Sequence, residues 1–354
     1  MDDERRVVYE GGAVAVRNGR IVAVGAHEDV DAVLARDDYR GAEIETIDAT
    51  NMLVLPGLID SHCHAGHALV KTLGCGDSRR RVSDWARACH ELYTVGSTEA
   101  FWEAEAELCA LERLKFGITT GVSVLGGGDM VFRTDDARYG IAHCRGVARV
   151  GTKSVVAVGA NRPSAMVPVD ADTARTEWVY AHVEEEDGKE GVTFTKVDVE
   201  SQLRVCEELI RRCHDAQEFK RRVRLALCPP VHDPRGALPE TVSLEEIVDA
   251  AARHRALADK YEGVTFTQDG HSGGTIAWAG AHGLLDGSAS YLSHSTDLVD
   301  ADFEALKKSG ASIVHNPSAV ASILGRCPVR DGCLSIRCGD VDICTFECLG
   351  WIDD

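Results

Sequence analysis

The sequence predicts an α/β fold, a TIM-like (β/α) barrel behind a small N-terminal β domain, and three observations carry that expectation. The first fifty residues read as short strands around a tight turn. From Leu53 onward, apolar strand-like runs alternate with helix-like stretches, the texture of a parallel sheet joined by crossover helices. One of those runs ends in two histidines spaced so that both rings share a face of the strand.

Each element follows from its own signals. Residues 12–16 form a first strand, Asn18-Gly19 is a hairpin turn, and residues 20–25 form the returning strand. Seven barrel strands are then expected at 53–59, 118–125, 154–159, 223–227, 264–267, 290–292 and 312–314. Between the first two, Ala100, Phe101, Ala104, Leu108, Leu111 and Leu114 recur at helical spacing after a Thr98 cap, and Gly117 ends the helix. Residues 201–213 and 244–261 behave likewise. Seven strands is one short of a closed barrel, so strand eight is expected to be lacking. From Arg326 the texture changes again: Cys327, Cys333, Cys338, Cys344 and Cys348 crowd together without a CxxC pair, which reads as a divergent tail rather than a zinc knot. The domain division expected is therefore 1–52, 53–325 and 326–354.

Composition narrows the function. The chain has 354 residues, 44% hydrophobic and 27% charged, an ordinary globular balance with a prior of two domains. Its formal net charge of −19 repels phosphate backbones and anionic lipid, so neither nucleic acid nor a membrane surface is expected as a partner. No apolar run approaches the roughly 18 residues of a membrane span, and the charged start carries no signal-peptide core. Thirteen cysteines without a repeating frame fit reduced thiols, and a cytoplasmic location is expected.

The sharpest chemical signal is Leu55-Pro56-Gly57-Leu58-Ile59-Asp60-Ser61-His62-Cys63-His64. Two neutral imidazoles, His62 and His64, at the carboxyl end of a barrel strand stand where that fold places its active sites, and they can clamp a divalent metal. Later histidines end other strands: His232 after strand four, His271 after strand five, His294 after strand six and His315 on strand seven.

With these motifs the sequence resembles the amidohydrolase superfamily. The Pro-Gly-Leu-Ile-Asp-x-His-x-His run is similar to its first-strand metal motif, and the likeness extends through Gly19–Gly25, Phe116-Gly117-Ile118-Thr119-Thr120 and the histidine strands, roughly residues 10 to 325. Within the superfamily it looks most like the cytosine, guanine and triazine deaminase and chlorohydrolase branch. The resemblance implies a partial N-terminal β-sandwich and one divalent metal ion, zinc or iron, held by His62, His64, His271 and His294. It also implies catalytic roles for His294 and His271, and substrate contacts from His315 and His232.

The strand-five ligand is open between Gln268 and His271. Under either alignment the glutamate of the branch's usual His-x-x-Glu is missing, with His271 or Gly274 in its place. The strand-eight aspartate of the family has only Gly339-Asp340 as a candidate. The expected activity is metal-assisted hydrolysis of an amino, amide or halide substituent on a small nitrogenous heterocycle, with deamination foremost. The alternatives are a catalytically impaired truncated relative and a cyclic-amide ring opener. Dimers or larger assemblies are the common expectation for the family, which makes a homodimer possible here.

Overall fold

A computed structural model describes residues 8–71, 88–89, 91–127, 131–162, 178–186, 189–236, 238, 242–285, 290–317, 319–320 and 343–345. The chain divides into two units, Met1–Gly57 and Leu58–Asp354.

In the first unit, β1 (Gly12–Arg17) and β2 (Arg20–Ala26) pair antiparallel around Asn18 and Gly19, whose φ values of 52° and 73° are those of the tight turn that matches strand twist. Helix α1 (His27–Leu34) follows directly. Val16 and Ile21 face each other beside the turn, and both are exposed. Among the described residues this unit holds two strands and one helix, so they do not display the sandwich expected from the resemblance.

The second unit is built on a parallel sheet. Its first three strands are β3 (Leu58–Asp60), β4 (Ile118–Val124) and β5 (Lys153–Val158). An antiparallel hairpin, β6 (Trp178–Glu186) with β7 (Lys189–Val197), interrupts the alternation. The sheet resumes with β8 (Val223–Leu227), β9 (Thr265–Gln268), β10 (Ser290–Ser293) and β11 (Ser312–His315). These seven strands stand in chain order, each parallel to the next, at the places the apolar runs predict.

The expectation that strand eight is lacking needs correction. A short β12 (Ile343–Thr345) pairs in parallel with β11, Ile313 opposite Ile343, and so lies where an eighth strand belongs. Three residues with little apolar periodicity around them give no strand signal in the sequence, and pairing supplies what propensity does not. The sheet's outer members are β12 and β3, and no ladder joins them among the described residues. Asp340 and the tail cysteines other than Cys344 lie outside those residues.

Local chemistry explains the helices that cover the sheet. After the single turn α2 (His67–Val70), helix α3 is Glu99–Lys115, its first turn closed by the Thr98 hydroxyl accepting from Phe101 N at 3.2 Å. Asp136 caps α4 (Ala137–Val150). Reciprocal capping boxes, Asp198 with Ser201 and Ser243 with Glu246, open α5 (Val199–Cys213) and α6 (Leu244–Asp259). Helix α4 lies so close to α3 that a side chain at Gly146 would overlap the Glu103 carbonyl. Between sheet and helices, Leu125, Val156, Val158, Leu225, Leu227 and Phe266 form a dry core. On the opposite face Val124, Ala157, Ala226 and Cys228 pack with Phe132. Burial on both faces is why these strands read as continuous apolar runs.

Candidate metal centre

Past β3 the chain stays in register with β4: Val124 N donates to Cys63 O at 2.8 Å and Ala65 N to Val124 O at 2.7 Å. Strand alternation therefore persists through His62 and His64, and their Nε2 atoms lie 3.3 Å apart. The His64 Nδ1 is 3.3 Å from the Gly126 carbonyl, which can only accept, so Nδ1 carries the proton and Nε2 presents a lone pair.

The other half of the site arrives by a different route. Asp269 leaves the end of β9, and its Oδ1 lies 3.2 Å from His62 Nε2 and 3.1 Å from His294 Nε2, while Oδ2 lies 3.5 Å from His64 Nε2. The Ser293 hydroxyl donates to Asp269 Oδ1 at 2.7 Å. His294 follows β10 in left-handed backbone with φ 64°, and Ser295 and Asp297 are left-handed too. Such residues cost about 1–3 kcal/mol each and persist where the surroundings dictate them. Here the Asn316 Oδ1 takes the His294 N–H at 2.8 Å, and the His271 carbonyl takes the Thr296 N–H at 3.1 Å.

Strands β10 and β3 are separated by four others in the sheet. Laid flat, five steps of about 4.8 Å would hold them roughly 24 Å apart. The rings of His62 and His294 are 5.2 Å apart, so the sheet curls until its distant carboxyl ends meet.

His62, His64, Asp269 and His294 offer one donor atom each, all within 4.8 Å of one another. Burial lowers the His62 pKa to about 3, so its ring is neutral at ordinary pH. Burial would raise the Asp269 carboxyl, but His62, His64 and His294 hold it well below the usual range. The His62 and His64 nitrogens are 3.3 Å apart, close to the donor spacing of about 3.3–3.4 Å around a tetrahedral zinc with bonds of about 2.0–2.1 Å, and the whole group lies within 4.8 Å. Three imidazoles and a carboxylate are donors that zinc or iron(II) accepts, so the group could hold either ion.

Neither residue expected at the strand-five ligand position belongs to the four-donor group. His271 is buried, its Nδ1 2.9 Å from Thr275 Oγ1 and its Nε2 3.3 Å from Gln268 Oε1, and it is outside the four-donor group. Gly270, at φ 85°, turns the chain so that His271 N bonds to Ser293 O under β10. Asp269, between the two expected residues, faces the histidines instead. Its one sequence signal is a carboxylate at the carboxyl end of a strand, which a search for a third imidazole passes over.

His315 ends β11 half-buried, and burial lowers its pKa. The His232 ring rests on Trp278 at 4.8 Å between centroids, and burial lowers its pKa as well. Neither belongs to the donor group. The His67 ring sits 4.8 Å from the His64 ring.

No family model matches the chain. It is 26% identical over 323 residues to a 5-methylthioadenosine/S-adenosylhomocysteine deaminase of Nitratidesulfovibrio vulgaris, covering 90% of this chain and 60% of that protein. A deaminase of the same name from Halobacterium salinarum is 28% identical over 342 residues, 93% of this chain and 66% of its own length. These relatives carry activity names of the branch that the sequence resembles, the deaminases and chlorohydrolases of the amidohydrolase superfamily.

The chain also matches an imidazolonepropionase of Symbiobacterium thermophilum at 36% identity, over 129 residues that make up 34% of this chain and 29% of that one. The guanine deaminase of C. acetobutylicum with bound guanine shares the fold at TM-score 0.61 and 13% identity, over 95% of this chain and 69% of that one. A mutant atrazine chlorohydrolase from Arthrobacter aurescens, complexed with zinc and atraton, does so at TM-score 0.63 and 18% identity, over 93% and 65%. The chain thus spans about 60–66% of the length of the two deaminases.

Proposed function

We propose that this chain is a metal-dependent hydrolase acting on a C–N bond, or a C–halide bond, of a small nitrogenous heterocycle, with deamination as its main reaction. The observation that carries the reading is the convergence of His62, His64, Asp269 and His294 from the ends of β3, β9 and β10. Two relatives named as nucleoside-type deaminases, and fold neighbours that hold guanine or zinc with atraton, support it.

A divalent cation in this site, zinc or iron, would make water acidic near neutrality and polarise the ring carbon under attack. The rest falls to the chain itself. The Gly126 carbonyl and Ser293 hydroxyl aim His64 and Asp269 before any metal arrives. Asp269 offsets one of the cation's two charges, while burial keeps His62 neutral. His315 and His232 stand at the carboxyl ends of β11 and β8 and are assigned to the heterocycle, with Trp278 beside His232 as an aromatic surface. His271 is assigned to holding the β9 end through Thr275 and Gln268.

The same reading extends the curled sheet to a TIM-like barrel over 53–325 and the first hairpin to part of a β-sandwich over 1–52, with 326–354 as a divergent tail. No helix among the described residues is long and apolar enough to cross a membrane. The free thiols of Cys63, Cys89, Cys109, Cys144, Cys206, Cys213 and Cys228 support a cytoplasmic setting.

The test is to load the chain with zinc or iron(II) and incubate it with 5-methylthioadenosine, guanine and a hydroxytriazine, following ammonia and the ultraviolet spectrum of the ring. Ammonia with the ring intact is expected from at least one of them. The imidazolonepropionase segment and the missing glutamate favour one second reading, cyclic-amide ring opening. Loss of ring absorbance from an imidazolone without ammonia would establish that reading in place of the first.

A further inference from the structure

Behind His62 lies a buried ion pair that the proposed chemistry does not use. Arg113, on α3, is 3% exposed and Asp60, at the end of β3, is 0% exposed. Arg113 Nε donates to Asp60 Oδ2 at 2.8 Å, and the other carboxylate oxygen, Oδ1, takes the backbone N–H of His62 at 3.2 Å. The remaining guanidinium nitrogens grip β4: Nη1 donates to Ser123 Oγ and Nη2 to the Val122 carbonyl, each at 3.0 Å. Beyond those two residues, β4 takes the Ala65 N–H at Val124 O, and Gly126 receives His64 Nδ1. One planar fork therefore ties the segment carrying two donors to the strand that orients both. The space for it is reserved, since a methyl group at Gly121 would overlap the Arg113 guanidinium.

A buried carboxylate and guanidinium are costly to desolvate, and replacement by apolar side chains is often neutral or stabilising. What an apolar replacement cannot do is fix a backbone N–H, a hydroxyl and a carbonyl in one plane. We infer that Arg113 is a positioning residue of the metal centre: through Asp60 it sets the backbone of His62, and through Ser123 and Val122 it sets β4, so that the His62 and His64 donors are aimed before metal binds. The role rests on the metal-centre reading. It requires the fork of an arginine, which a lysine's point charge does not reproduce.

The experiment measures zinc affinity of the full chain by competition with a chromogenic chelator, and the visible spectrum of the cobalt(II)-loaded chain. Arg113→Lys is expected to weaken zinc binding by about 10- to 100-fold and to alter the cobalt bands, the range usual for an outer partner of a metal ligand. Gly121→Ala keeps the arginine but displaces it, and should weaken zinc in the same direction by about tenfold. Arg255→Lys is the control. That arginine is also buried but bonds Ser290 at the start of β10, so its loss should lower thermal stability with zinc affinity unchanged. Unchanged zinc affinity in both Arg113→Lys and Gly121→Ala overturns the inference. So does an equal loss in Arg255→Lys, which would make the effect general destabilisation. A wild-type chain that takes up neither zinc nor cobalt overturns the centre itself and this role with it.

Discussion

The two halves of the donor group are held by different physics. His62 and His64 ride on regular strand alternation continued alongside β4, and their geometry needs no unusual backbone. Asp269 and His294 stand just beyond their strands, one before a left-handed glycine and the other left-handed itself, and depend on hooks from Ser293 and Asn316. Periodic backbone carries a ligand pair cheaply and visibly. Irregular backbone can bring a donor from any strand end, but the information is spread over partners distant in sequence.

Removing the central donor should have the largest effect. Asp269→Ala leaves three imidazoles with no carboxylate and is expected to abolish stoichiometric zinc, at least about 100-fold in affinity, as read by elemental analysis after dialysis. Retained full occupancy would show that the three imidazoles suffice without the carboxylate.

Asn316→Ala tests the hook. It leaves the His294 N–H without its acceptor in a buried setting, so about 1–2 kcal/mol of stability and about tenfold in zinc affinity should be lost together. A stability loss with unchanged affinity would mean that His294 is fixed by other contacts.

Acid should unfold the chain through its buried neutral histidines. His254 Nε2 accepts the Ala160 N–H at 2.8 Å, its Nδ1 lies 2.6 Å from the Ala250 carbonyl, and burial lowers its pKa to about 4. The unfolded ring titrates near about 6.5, so between these values the unfolded state binds more protons. This contribution is complete above about pH 6.5 and disappears as pH falls toward about 4, on the order of 3 kcal/mol. Urea titrations from pH 7 to pH 4 should show that slope in the metal-free chain, and His254→Gln should flatten it.

The smallest effect is expected at His271. Because its ring nitrogens face Thr275 and Gln268, His271→Gln should change zinc affinity by less than about threefold. A collapse of affinity would return His271 to the ligands and remove Asp269 from that place.

How much was legible follows the same division. The seven apolar runs, the Asn18-Gly19 hairpin and the His62/His64 pair each rest on interactions within a few residues, and the structure shows all of them. The strand at Ile343–Thr345 has no such local signal and exists through pairing with β11. Asp269 was passed over for the residues on either side of it, because the turn at Gly270 decides which of the three faces the histidines.

By itself, the order of residues determined periodicity: which segments are strands, which helices cover them, and that a histidine pair shares one strand face. Only the tertiary structure decided that ends separated by four strands meet, since curling a sheet is a collective property of every strand's twist and packing. The place of Asp269 beside the three histidines was decided at the same level, where a buried carboxylate is stable only opposite groups that offset its charge, and those groups come from elsewhere in the chain.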